Sequence, residues 1–148
     1  MKKFIKLQFP EQCVQIRERN GIQEIFDPIR KVWIMLNPEE WVRQHIIQFL
    51  LLKDYPASLI AVEKKVMLNE LVKRCDIVVY SRNGKPYMII ECKRMEVPLT
   101  SDTLAQILRY HIPLQPTYLV ITNGVDCIGL KKENDQFQYI DHFPEYDN

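Results

Sequence analysis

The sequence predicts an α/β fold, a mixed β-sheet flanked by helices with an added N-terminal β-hairpin. Three observations predict it. Short runs rich in β-branched and aromatic residues recur along the chain. Those at Cys75–Tyr80, Tyr87–Lys93 and Tyr118–Thr122 are nearly continuous in apolar residues, as expected of central strands covered on both faces. Two stretches of helical period, after Asn37 and from about Ser101, interrupt those runs. Asn-Gly pairs at 20–21, 83–84 and 123–124 punctuate the strands. Elements ordered in this way build a sheet covered by helices.

The elements follow in order. Val14 to Arg19 and Ile22 to Phe26 flank Asn20-Gly21, a two-residue hairpin signal, and Lys31 to Leu36 reads as a third strand. Asn37 suits an N-cap, Pro38 suits the first helical position, and Glu40 falls where a capping box places its acid. Apolar residues then recur at Trp41, Val42, Ile46, Phe49, Leu50 and Leu52, and the helix should stop near Lys53-Asp54-Tyr55, before Pro56. Leu59 to Val66 reads as a strand. Cys75–Tyr80 and Tyr87–Lys93 form a hairpin about Asn83-Gly84. A second helix runs from about Ser101 to His111 and ends before Pro113. Tyr118–Thr122 is a buried strand, and Cys127–Leu130 and Phe137–Ile140 are weaker ones. The length of 148 residues fits one domain, with a β extension at 1–36 and a core at 37–148.

Composition narrows the function classes. The net charge of +1 gives no general attraction to nucleic acid, so any basic surface must be local. Lys64-Lys65, Lys73-Arg74 and Lys93-Arg94 could supply one, or could simply be a solvated face. Cys13, Cys75, Cys92 and Cys127 form no C-x-x-C pair, which argues against zinc and for reduced core thiols in a cytoplasmic protein. After Met1-Lys2-Lys3 the chain turns polar, unlike a signal peptide, and the run Phe49–Leu52 is too short to span a bilayer. No phosphate-binding glycine motif occurs, so neither a membrane nor a nucleotide is an expected partner.

The hairpin about Asn83-Gly84 carries the chemistry. With those two residues as the loop, Arg82 faces Lys85, and the same register sets Asp76 directly across from Glu91. Lys93, two residues on, shares their face. Like charges facing each other destabilise a sheet, the more so beside apolar runs that bury them. A divalent cation would relieve the repulsion, and two carboxylates joined by phosphate and water suit magnesium. A surface salt-bridge cluster is the alternative reading of the same three residues.

Asp76 followed by Glu91-Cys92-Lys93 on the next strand resembles the D…E-x-K signature of the PD-(D/E)XK nuclease superfamily. Gln106-Ile107-Leu108-Arg109-Tyr110 resembles the Q-x-x-x-Y motif of its RecB-like branch. More closely, the stretch from Phe26 to Gly124 resembles the N-terminal nuclease domain of the type I restriction enzyme R subunit. The matching phrases are Phe26–Arg30, Asn37–Gln44, Cys75–Tyr80, Glu91–Lys93, Val97–Thr100 and Thr122–Gly124. The resemblance implies a restriction-endonuclease-like core and hydrolysis of DNA phosphodiester bonds with Mg2+, for which Mn2+ would substitute. It implies Asp76, Glu91 and the backbone carbonyl of Cys92 as metal ligands, with Glu40 reaching the metal through water. Lys93 would position the attacking water. Gln106 and Tyr110 would hold substrate or orient Lys93. Glu40 has a second reading as a capping residue, and Gln106 and Tyr110 as helix-surface and packing residues. In the R subunit an ATP-driven translocase follows this domain, and the present sequence has no motif for one. The expected partners are DNA and separate restriction-system subunits, or a second copy of the chain for cutting two strands. A catalytically silent DNA-binding or partner-docking module is the alternative.

Overall fold

The computed structural model describes residues 4–7, 9 and 13–146. The reading of Met1-Lys2-Lys3 lies outside them. The fold is α/β. A three-stranded antiparallel sheet, β1 (Ile16–Arg19), β2 (Ile22–Asp27) and β3 (Val32–Met35), precedes helix α1 (Pro38–Leu52). A six-stranded mixed sheet follows in sequential order: β4 (Ile60–Leu68), β5 (Leu71–Tyr80), β6 (Pro86–Cys92), β7 (Tyr118–Thr122), β8 (Cys127–Glu133) and β9 (Gln136–Ile140). Among the described residues only β6 and β7 pair in parallel, and helix α2 (Ser101–His111) forms the crossover between them. Among the described residues, too, no helix is long and apolar enough to cross a membrane.

The local signals act as expected at most positions. Asn20 and Gly21 both take positive φ, so β1 and β2 close through a two-residue turn. The Asn37 side chain accepts the Glu40 N–H at 2.7 Å, and Pro38 opens α1. Thr100 caps α2 in the same way, accepting from the Thr103 N–H. Two hairpins run further than the apolar runs suggest. β5 begins at Leu71, because Leu68 pairs with Leu71 across Asn69-Glu70 and Asn69 adopts positive φ. β8 and β9 reach Asn134-Asp135, both at positive φ. Polar turn residues between weakly apolar flanks concealed both hairpins. Cys75, Cys92 and Cys127 are buried, whereas Cys13 is only half-buried, and all four are free thiols.

The sheet separates two apolar layers. Ile77, Val79, Met88, Ile90 and Cys92 pack under Val42, Ile46, Ile47 and Leu50 of α1. Ile121 and Ile128 face Leu104 and Ile107 of α2, while Val78, Ile89 and Leu119 pack with Leu114 just beyond that helix. Helix α1 also contacts β2, so it is buried on more than one side. Three neighbouring positions, Val42, Arg43 and Gln44, are therefore all buried. The polar two need partners inside the protein.

Asp27, at the end of β2, anchors that polar layer. It is fully buried. It accepts hydrogen bonds from the Ile29 and Arg30 N–H groups, the Arg30 guanidinium at 2.7 Å and the Gln44 amide at 3.0 Å. Burial pushes its carboxyl pKa up, but the Arg30 and Gln44 contacts outweigh that and hold it below the usual range. A depressed folded-state pKa contributes stability above the unfolded value, lost as pH falls through the folded one. Thermal melts should therefore show the wild-type Tm dropping below about pH 4, with a flatter acid limb for Asp27→Asn. Superimposable acid limbs for the two proteins would refute this.

Candidate active site

The site lies where β5 and β6 part. Their last pair is Ile77 with Ile90, and one step further on each strand stand Asp76 and Glu91. The predicted register holds, but by a different route. The loop is not the two-residue turn expected. The Ser81 N–H donates to the Lys85 carbonyl, and the Gly84 N–H to the Ser81 carbonyl, so Ser81 rather than Arg82 faces Lys85. That shifts the pairing by one residue at Tyr80–Pro86. A bulge between Val79 and Tyr80 restores it, and Val79 pairs with Met88.

Beyond Ile77 and Ile90 a side chain takes over from the ladder. Asp76 Oδ2 accepts the Cys92 N–H at 2.8 Å. In an extended residue the N–H and C=O point to the same side, so the Cys92 carbonyl is directed toward the Asp76 side of β6. The next N–H, that of Lys93, turns the other way and donates to the Thr122 carbonyl of β7 at 2.8 Å. β6 is thereby held on both sides at the residues that matter.

Each carboxylate oxygen of the pair has a protein partner. Asp76 Oδ1 is 3.2 Å from the Arg43 guanidinium. Glu91 Oε1 is 3.5 Å from Lys93 Nζ, and Glu91 Oε2 is 3.1 Å from His111 Nε2. Burial and the neighbouring Glu91 charge push the Asp76 carboxyl up to about 6. Burial acts on Glu91 in the same sense, but His111 and then Lys93 outweigh it and hold Glu91 below its usual range. The pair is therefore unequal, with Glu91 the more readily ionised.

A cavity of about 360 Å³ opens over these groups. It gathers five of the residues singled out in the sequence: Asp76, Glu91, Lys93, Gln106 and Tyr110. Gln106 and Tyr110, four residues apart on α2, both line it. Tyr110 also ties α2 to β5, because its hydroxyl accepts the Arg74 N–H at 3.1 Å. Glu40 stands apart from this cavity. It is buried, with its oxygens 2.5 Å from Arg43 Nη1 and 2.9 Å from the Gln44 amide. Its backbone N–H is capped by Asn37, but its carboxylate reaches Asp76 only through Arg43, which touches both.

Two residues were missed in the sequence. His111, buried at the end of α2, bridges Glu91 and the Cys75 thiol, 3.8 Å from Nδ1. Its four-residue spacing from Ile107 placed it on a buried helical face, but no local signal linked it to Glu91. Arg43 could be seen as a neighbour of Glu39 and Glu40 on one helix. Its contact with Asp76 spans 33 positions and needs the tertiary fold.

The loop after β7 packs against α1. Asn123 donates to the Val97 carbonyl at 2.8 Å and accepts the Val125 and Asp126 N–H groups. Gly124 takes φ +87°, and a Cβ there would lie 3.1 Å from the Val42 side chain of α1. Positive φ and close approach together favour glycine at this position.

The geometry brings together two acids, a lysine, a glutamine and a tyrosine around a cavity at the ends of central strands. Among the described residues no three His, Cys, Asp or Glu side chains form a group able to hold a metal ion. Any metal would thus depend on the Asp76–Glu91 pair with backbone oxygen, water or substrate. In comparison with known proteins, the family model described as type I restriction enzyme R protein N terminus matches residues 38–144, well over half the chain. No curated protein matches the chain.

Proposed function

Since the chain belongs to the type I restriction enzyme R protein N-terminal family, we propose that it is a metal-dependent DNA endonuclease with a PD-(D/E)XK site. The observation that carries the reading is the facing pair Asp76 and Glu91, both half-buried, with Lys93 3.5 Å from Glu91 beside an open cavity. An acid raised to about 6 by burial and then by a neighbouring acid is the chemistry of a site that gains from a cation.

The donor set fits Mg2+, which takes one or two carboxylates and completes its shell with substrate oxygens and water. Asp76 and Glu91 would hold it, with the Cys92 carbonyl as a third protein ligand, and Mn2+ would substitute. When bound, the metal lowers the pKa of water and neutralises charge on the phosphoryl oxygens. The remaining work falls to side chains. Lys93 orients the attacking water and stabilises negative charge developing on the phosphate. Gln106 and Tyr110 hold the DNA backbone over the pair. Glu40 acts at one remove, fixing Arg43 against Asp76. DNA is the substrate, and other restriction subunits are the partners this family suggests.

A second reading has an observation of its own. Arg43, Lys93 and His111 already pair with the two carboxylates, so the cluster could stand as a structural one in a silent DNA-binding or docking module. Metal binding separates the two. For the nuclease, magnesium or manganese at about a hundredfold excess over Kd adds roughly 2.7 kcal/mol of stability, seen as a raised Tm, and linear or supercoiled DNA is cut. Asp76→Asn should abolish both effects. A wild-type Tm that ignores both metals, with intact DNA, would select the silent module.

A further inference from the structure

The reading above leaves the outer half of the β4–β5 hairpin without a role. β6 pairs with β5 only from Ile77 onward, so residues 64–75 continue as a two-stranded ribbon. From Ile77 to Leu71 the ribbon extends about 20 Å at ~3.3 Å per residue. Cross-strand pairing places Lys65 opposite Arg74 and Met67 opposite Val72, all four on one face. That face is open to solvent: Met67 is 73% exposed and Val72 54%. Lys64, opposite the buried Cys75, projects from the other face. The nearby acid, Glu63, is already matched by Arg30, Arg43 and Arg74 at 3.3–3.6 Å, and Glu70 sits in the end turn.

The ribbon is held at its base beside the acidic pair. The Arg74 N–H donates to the Tyr110 hydroxyl, and Lys73 Nζ lies 4.5 Å from the centre of the Tyr110 ring. Arg74 itself lines the cavity with Asp76 and Glu91. A cationic stripe thus runs from the cavity outward to an apolar tip.

We propose that this ribbon grips duplex DNA, with Lys65 and Arg74 on backbone phosphates and Met67 and Val72 entering a groove next to the cavity. The proposal rests on the DNA-directed reading of the site. A two-stranded β-ribbon matches the width of the major groove, and the stripe has the charge that phosphates attract. Continuity with the cavity directs the bound backbone toward Asp76 and Glu91. Lysines on an edge strand also discourage strand pairing between molecules. A ribbon with that role alone would leave DNA affinity untouched when they are removed.

The test is fluorescence anisotropy of a fluorescein-labelled duplex, titrated in magnesium between about 50 and 200 mM salt. Lys93→Ala serves as the common background, to keep the duplex intact. Adding Lys65→Ala and Arg74→Ala should weaken binding on the order of tenfold at the lower salt. It should also flatten the plot of log affinity against log salt by about 1.8, about 0.9 for each phosphate that is no longer neutralised. Met67→Ser should weaken binding severalfold with the slope unchanged. Lys85→Ala, in the turn at the far end of β5, should match the background. If the background binds the duplex and the Lys65→Ala, Arg74→Ala variant keeps both affinity and slope, the ribbon proposal is overturned while the site reading stands. A background protein that does not bind the duplex would overturn both.

Discussion

Lys93→Ala is expected to fold as the wild type does and to lose DNA cleavage by on the order of 10²–10³-fold or more, the scale of removing one preorganised charge from a phosphoryl transition state. The side chain is one-third exposed and meets Glu91 only at 3.5 Å, so its loss opens no cavity in the core. Its backbone N–H remains bonded to the Thr122 carbonyl. Tm and manganese affinity should stay near wild-type values, because Asp76 and Glu91 are untouched. Lys93→Arg, which keeps the charge but not the shape, should recover little. Wild-type cleavage by Lys93→Ala would remove the central claim about this site. Lost cleavage with a collapsed Tm would show a structural lysine instead.

The second large effect is on stability. Arg43→Ala is expected to destabilise the fold by about 3–5 kcal/mol, the usual cost of removing one partner from a buried ion cluster. Arg43 is 5% exposed in its side chain and neutralises Glu40, equally buried, together with Asp76 and the more open Glu39 and Glu63. Without it Glu40 keeps the Gln44 amide and a distant Arg30 at 3.6 Å, and Asp76 faces Glu91 with less positive charge nearby. Burial opposes the Arg43 charge, but Glu40 and then Asp76 outweigh that and raise its pKa further. The variant should melt roughly 6–20 °C below wild type, given about 2–4 °C per kcal/mol for a chain of this size. Arg43→Lys, with charge but no fork, should fall between. A melting curve for Arg43→Ala within about 2 °C of wild type would show that the cluster contributes little.

The acidic pair was legible because strand alternation is a local rule. Asp76, Glu91 and Lys93 share a face by counting along two strands, provided the register is known. The count used the wrong loop and still gave the observed register, because the shift at Tyr80–Pro86 is cancelled by the bulge after Val79. That cancellation is set by packing of Val79 and Met88 in the core, which no turn motif encodes. Both helices were legible from caps and period, and Gln106 and Tyr110 line the cavity with the acids. The Asn69-Glu70 hairpin was not, since Asn69 is followed by Glu rather than Gly and the strand before it is rich in lysine.

By itself, then, the sequence determined the order of strands and helices, the helix ends, and one face carrying two acids and a lysine. Each follows from interactions between residues near in the chain or across one turn. Only the tertiary structure decided what the acids touch. Arg43 reaches Asp76 from α1, and His111 reaches Glu91 from α2, across separations of 33 and 20 residues. The same holds for Glu40, whose carboxylate joins the site through Arg43 rather than facing the cavity. Such contacts arise because burying α1 and α2 on opposite faces of the sheet brings their polar residues to the ends of β5 and β6. There, charges removed from water must find partners within the protein.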